Sequence, residues 1–326
     1  TDGSGAYVVR ANGDGSNPVI IVAGAANILG PNGLETANGL LYWPDQQLNT
    51  IQQANLDGTG VATFTSASNP YDVFGTATQI FWNSQTENYI DTQLTNGTDY
   101  QRIFTSPIVD RPLAIEVTAT NFYWSEAGSP GRLRRSDLNG ANIVTLIPNV
   151  DVRDFQITSN YIYFADVRFP GGALKRANLD GTGVTNLVTN EFGGVDLING
   201  ICVTSNAIYW SEYSVGSGGG IRRANLNGTD RVDVYNAPPG SGIRGVVVLP
   251  DVVAIVQPSF SNVFVGPGGF TYSLQVESGK TYRIETSGNL THWNEITNFV
   301  SGGTAVTFTN AIPPGASNLF FRARTP

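Results

Sequence analysis

Several residue types are almost missing from these 326 residues, and each gap removes a class of function. One cysteine, Cys202, leaves no partner for an internal disulfide. Flanked by Ile201 and Val203, it is expected to be a buried, inert thiol. One histidine, His292, excludes a Ser-His-Asp triad in the first four fifths of the chain and any His-based metal cluster. With two lysines and a net charge of -8, no basic face is available to displace counterions from nucleic acid. No apolar run reaches 18 residues, so neither a helical membrane span nor a retained signal peptide is expected. Methionine is absent, which implies that the chain does not begin at its initiator and has been processed.

What is present is a repeat. An apolar, aromatic run is followed by an acidic residue, a turn, a basic residue and a tight Asp-Gly or Asn-Gly hairpin. Leu41-Tyr42-Trp43, Ile80-Phe81-Trp82, Phe122-Tyr123-Trp124, Ile162-Tyr163-Phe164 and Ile208-Tyr209-Trp210 open the five intact copies. The turn glycines at 15, 58, 97, 140, 181 and 228 are spaced by 43, 39, 43, 41 and 47 residues. Several short strands per unit at that period indicate the four-stranded blades of a propeller, and Asn-Gly supplies the positive φ angles such hairpins need. A 3.6-residue period is absent, which excludes helical repeats.

Each intact unit starts with an apolar inner strand, at Gly33–Thr36, Asp72–Gly75, Ala114–Val117, Asp154–Ile157 and Gly200–Val203. The chain opens on half a unit, Tyr7 to Val22, and Gly245 to Val256 resembles the missing half. The expected fold is all-β: a six-bladed β-propeller over 1–256 whose closing blade is composite, with strands from both ends of the domain. Such a clasp leaves no unpaired edge strand at the junction. The aromatic positions are expected to be inter-blade core, each ring contributing on the order of 2 kcal/mol.

The order apolar strand, Tyr-Trp, acid, base, Asn/Asp-Leu-Asp/Asn-Gly resembles the YWTD repeat of low-density-lipoprotein-receptor-type six-bladed propellers. The resemblance implies that the acids Asp45, Glu126, Asp166 and Glu212 serve structure, paired with Arg135, Arg176 and Arg223. The third unit departs from it, with Asn83-Ser84 at the acidic place. The scarcity of cysteine departs from the Cys-rich animal receptors and suggests a bacterial relative.

After Gln257 the repeat stops. Pro258 to Gly269 is expected to be a linker, and four alternating strands at Phe270–Val276, Thr281–Thr286, Thr304–Thr309 and Asn318–Arg324 suggest a small antiparallel β-sandwich over 257–326. Tyr282 to Trp293, with Phe321-Arg322, resembles C-terminal modules of secreted planctomycete and verrucomicrobial proteins, which implies an accessory or attachment role.

The leading functional expectation is a secreted or cell-surface, non-catalytic protein that binds a protein or glycan. The loops leading into the inner strands surround the channel mouth and carry Asn32, Tyr71, Asp72, Arg111, Arg153, Asp154, Phe192, Asn199 and Arg244. Aromatic and Arg side chains among carboxylates are types enriched in interaction hot spots, although ordinary solvated loops look the same. A second expectation is self-association into an extracellular filament, with the sandwich of one copy on the propeller of the next. A third is a hydrolase or lactonase with a channel metal, for which Glu35, Glu116 and Gln156 occupy equivalent inner-strand positions. Calcium would suit them, but oxygen-rich sites use about 6 to 8 ligands, so no cofactor is expected. The Asp-Gly turns lack the spaced acids of a calcium loop.

Overall fold

The computed structural model describes residues 6–24, 26–168, 172–189, 197–213, 219–237, 242–249, 259–266, 269–276, 281–289, 291–303, 305–311 and 320–324. Among them are 28 β-strands and no helix. Two compact units result, Thr1–Val248 and Leu249–Pro326. The boundary expected after residue 256 lies outside the described residues.

The first unit opens with a two-stranded sheet, β1 (Tyr7–Arg10) and β2 (Val19–Ala23). Five four-stranded antiparallel meanders follow. They are β3 (Glu35–Ala37), β4 (Leu40–Asp45), β5 (Thr50–Asn55) and β6 (Ala62–Ser66); then β7 (Val73–Gly75), β8 (Gln79–Ser84), β9 (Tyr89–Leu94) and β10 (Gln101–Thr105). Next come β11 (Pro112–Val117), β12 (Asn121–Glu126), β13 (Arg132–Asp137) and β14 (Val144–Pro148). The last two are β15 (Val152–Ile157), β16 (Tyr161–Asp166), β17 (Ala173–Asn178) and β18 (Thr185–Thr189), and β19 (Leu197–Val203), β20 (Ala207–Tyr213), β21 (Gly220–Asn225) and β22 (Val232–Asn236).

Successive residues of a strand face opposite ways, and this alternation glues the sheets together. On β4, Tyr42 packs forward against Val73, Ile80 and Trp82 of the next sheet. Its neighbour Trp43 packs backward with Val8, Val22 and Ile28. The other junctions repeat the scheme, so Trp43, Trp82, Trp124 and Trp210 are all fully buried.

The hairpin turns complete the contact between sheets. In the turn after β5, Asp57 Oδ1 accepts from Thr59 N at 2.9 Å and Thr59 Oγ1 at 2.7 Å. Gly58 takes φ +85°, and a Cβ there would fall 2.0 Å from Ile21 O of β2. Gly15, in the turn between β1 and β2, meets Val234 O of β22 in the same way, at 1.7 Å. The β1–β2 sheet is therefore flanked by the last meander on one side and the first on the other, and the six sheets form a circuit. The inner position of that sixth sheet is approached by residues 242–249, where Gly245 lies against both Gly200 and Leu34. The strand expected at Gly245–Val256 is described only as far as Leu249 and forms no ladder up to there.

Two places after the strand's last aromatic residue, Asp45, Glu126 and Asp166 are buried and Glu212 is partly buried, but their partners differ from those expected. Glu126, fully buried, accepts from Arg132 Nε at 2.5 Å, Arg134 Nη1 at 3.2 Å and Trp124 Nε1 at 2.7 Å. Asp166 pairs with Arg168 and Lys175, and Glu212 with Arg222 and Arg231. Arg135, Arg176 and Arg223 stand one residue further along, on the opposite strand face, across from Tyr123, Tyr163 and Tyr209. In the third unit, which has Asn83-Ser84, the acid has moved to the neighbouring strand: Asp91 holds Arg102 at 2.8 Å and Tyr100 at 2.7 Å. Indole satisfaction follows acid length. Trp124 and Trp210 donate to a Glu, whereas Trp43 Nε1 and Trp82 Nε1, followed by Asp45 and Ser84, have no partner. Asp45 instead caps the backbone N–H groups of Leu29, Gly30, Gln47 and Leu48.

The second unit is a sandwich of two three-stranded antiparallel sheets. One has the order β23 (Ser259–Gly266), β24 (Gly269–Gln275), β27 (Ala305–Asn310), and the other β26 (Asn294–Val300), β25 (Thr281–Ser287), β28 (Phe320–Arg324). Tyr272, Leu274 and Val276 of the first meet Tyr282 and Ile284 of the second in one core. The segment expected to be a linker thus supplies β23, and β26 was not expected as a strand. His292 sits exposed in a turn, its N–H given to Asn289 Oδ1 at 3.0 Å.

Candidate interaction face

An inner strand is the edge of its sheet, so some of its N–H groups find no strand to pair with. In this ring they are met by side chains of the preceding sheet. Asp72 Oδ2 accepts from Ile115 N at 3.0 Å, Glu116 Oε2 from Ile157 N at 2.6 Å and Asp154 Oδ2 from Ile201 N at 2.7 Å. Gln156 Oε1 accepts from Val203 N, and Cys202 Sγ from Val248 N at 3.3 Å. These contacts latch each inner strand to the next. Glu35 is the exception: its carboxylate turns back to Thr36 N, at 2.6 Å.

The arrangement gathers four carboxyls, Glu35, Asp72, Glu116 and Asp154, close enough to repel one another. Burial, reinforced by the Asp154 charge, pushes Glu35 up to about 7. Burial also raises Asp154 to about 7 against the backbone N–H groups of Ile201 and Phe155. Asp72 and Glu116 are held well above the ordinary carboxyl range, by burial first and then by their acidic neighbours. Among the described residues no group of three acids, thiols or imidazoles has metal-holding geometry, and Glu116 Oε2 and Gln156 Oε1 are engaged with backbone. Cys202 is half-buried rather than buried, and burial raises its thiol to about 11, which keeps it protonated and inert.

Around this belt lie the starts of the inner strands and the loops before them; Arg153 and Asp154 fall within β15 and Asn199 within β19 rather than in loops. Arg153 Nη1 donates to Tyr71 OH, a contact between the second and fourth meanders. Arg244 Nη1 donates to Asn32 Oδ1 at 3.1 Å, and Asn199 Nδ2 to Ile243 O at 3.2 Å. Arg111 is half-exposed, gives its backbone N–H to Asn88 Oδ1 at 2.5 Å and its guanidinium to Ala127 O, and lies 3.9 Å from Asp110. Asp72 and Asp154 belong to the latches below, and Phe192 lies outside the described residues. Two pairs are therefore brought together, Tyr71 with Arg153 and Asn32 with Arg244.

Sequence reasoning missed the conformation of Arg111. It takes φ 49°, a left-handed angle otherwise adopted among the described non-glycine residues only by Asn and Asp. One meander earlier the same turn uses Asn69, at φ 44°, whose N–H meets Asn49 as that of Arg111 meets Asn88. An arginine there costs on the order of 1 kcal/mol.

No known family profile matches the chain. A human low-density lipoprotein receptor-related protein 5-like protein is 27% identical over 144 residues, which are 40% of this chain and 55% of that relative. These are YWTD propeller blades. The chain spans about half the length of that relative. Among solved structures, one chain of a nidogen/laminin complex matches with a TM-score of 0.55 at 14% identity, over 74% of this chain and 95% of that one. A putative TolB from Agrobacterium tumefaciens matches at 0.56 and 10% identity, over 70% and 88% of the two chains. TolB from Acinetobacter baumannii matches at 0.57 and 12% identity, over 73% and 61%. These likenesses concern the fold: the YWTD ring is an all-β propeller. No helix among the described residues is long and apolar enough to cross a membrane.

Proposed function

We propose that this chain is a secreted, non-catalytic interaction protein that binds a protein partner on the face where the inner strands begin. The observation that carries the reading is the pair of contacts Tyr71 to Arg153 and Asn32 to Arg244. Neither belongs to a strand ladder, and each joins sheets that the meanders do not. They fix long side chains in place before any partner arrives, which lowers the ordering cost of binding. The matched chain of the nidogen/laminin complex, solved as part of a protein assembly, supports a propeller used for protein contact.

The test is retrieval from the native extracellular material with the wild-type chain and with the Tyr71→Ala/Arg153→Ala/Arg244→Ala variant. Partners recovered by the wild type should be lost by the variant while its unfolding profile persists. Equal recovery would place the binding surface elsewhere.

A further inference from the structure

Six of the thirteen arginines of the ring form close ion pairs within it. Arg102 pairs with Asp91, Arg132 and Arg134 with Glu126, Arg168 with Asp166, and Arg222 and Arg231 with Glu212. The channel mouth differs. Arg153 and Arg244 are held by a phenol and an amide, Tyr71 and Asn32, and make no ion pair among the described residues. Arg111 donates to Ala127 O, and its one ionic contact is a loose one with Asp110, which is itself more than half exposed. Three guanidinium groups are thus positioned without being discharged, in a chain whose net charge is -8. Arg111 also occupies a left-handed backbone position that the preceding meander fills with Asn69. The turn itself asks for Asn, so the arginine is kept for its side chain.

From these placements we infer that the channel-mouth face recognises an acidic peptide segment, with Arg111, Arg153 and Arg244 as the carboxylate-binding groups. The inference rests on the interaction reading above and specifies its partner. A planar guanidinium with its stem fixed offers two parallel N–H groups to one carboxylate. Arg153 beside Tyr71, with Arg111 and Arg244 at the starts of other inner strands, suits a segment that interleaves Asp or Glu with apolar residues. A dense polyanion such as a sulfated glycan fits less well, because Asp110, the channel carboxyls and the overall negative charge would repel it.

The test uses the full chain and a short fluorescent peptide carrying Asp and Glu among Tyr and Leu. Its Asn/Gln counterpart and a heparin oligosaccharide serve as comparisons. The acidic peptide should bind about tenfold or more tightly than its amide counterpart, and its affinity should fall with added salt. Arg111→Asn and Arg153→Gln should each weaken it by about tenfold. Arg111→Asn should also unfold at the same temperature as the wild type or higher, since it restores the residue the turn favours. Equal affinity for the two peptides, preference for heparin, or a lowered unfolding temperature in Arg111→Asn would overturn the inference. If Arg111→Asn and Arg153→Gln still retrieve the partners that the triple alanine variant loses, the face reading stands and the acidic specificity falls. If the triple variant loses nothing, the face reading falls as well.

Discussion

Glu35 offers the most direct check on the channel belt. Its carboxylate accepts from Thr36 N of its own strand and not from the next sheet, and burial with the nearby Asp154 raises it to about 7 from an ordinary value of 4.5. Between those two values the folded ring binds a proton that the unfolded chain releases. Stability is therefore fully present below pH 4.5, falls as pH rises, and reaches its lower plateau above 7. The difference corresponds to about 3 kcal/mol. Glu35→Gln keeps the carbonyl that accepts from Thr36 N and removes the charge. Denaturant unfolding followed by the fluorescence of the buried tryptophans should show the variant about equal to wild type at pH 4.5. At pH 8 it should be more stable, by up to about 3 kcal/mol. Parallel stability curves for the two proteins across that range would refute the placement of this charge.

The remaining predictions concern the blades and the channel. Glu126→Ala leaves Arg134 and the Trp124 indole without their buried acceptor, so chemical denaturation should register a loss of about 3 to 5 kcal/mol. Trp82→Phe removes an indole N–H that has no partner, while Trp124→Phe removes one bonded to Glu126. The second change should be the more damaging by about 1 to 2 kcal/mol in the same assay. Calorimetric titration with Ca²⁺ should give no saturable heat, because Glu116 Oε2 and Gln156 Oε1 already accept from backbone N–H groups. Saturable binding that disappears in Glu35→Gln and Glu116→Gln would revive a channel metal.

The blades were legible because their signal repeats. Tyr42-Trp43 and its equivalents mark the second strand of each sheet, and the Asp-Gly and Asn-Gly turns mark the hairpin between the third and fourth. What failed was phase and distance. Arg134 and Arg135 differ by one position, yet only Arg134 shares a face with Glu126, and the sequence offers two basic residues with nothing to choose between them. Asp91 replaces the acid missing at Asn83-Ser84 from a different strand, so no alignment of equivalent positions could find it. β23 hides in a stretch rich in Ser and Gly, and β26, Asn294–Val300, lacks the strict apolar-polar alternation that marks a strand. At the site, Glu35, Glu116 and Gln156 were readable as equivalent inner positions. That Glu116 and Gln156 engage the next strand's N–H groups while Glu35 turns back to Thr36 depends on how closely neighbouring sheets approach. The Tyr71 to Arg153 contact joins residues 82 positions apart, and local pattern carries no trace of it.

The hairpin turns bear on how this protein ages. Asn96, Asn139 and Asn227 each precede a glycine, the dipeptide in which the next backbone nitrogen most readily displaces ammonia from the side chain. Their Oδ1 atoms accept from the residue two places on, at 3.0, 3.0 and 3.1 Å. Asp14, Asp57 and Asp180 make the same bond at 2.9 Å in sister turns. The cyclic imide so formed opens to aspartate or to isoaspartate; the aspartate product changes the charge of a turn without changing its geometry, whereas the isoaspartate adds a methylene to the backbone. Stored protein would drift into a ladder of increasingly acidic isoforms by isoelectric focusing, of which the aspartate forms keep the unfolding profile. Isoform number would then record the time since synthesis rather than any loss of fold.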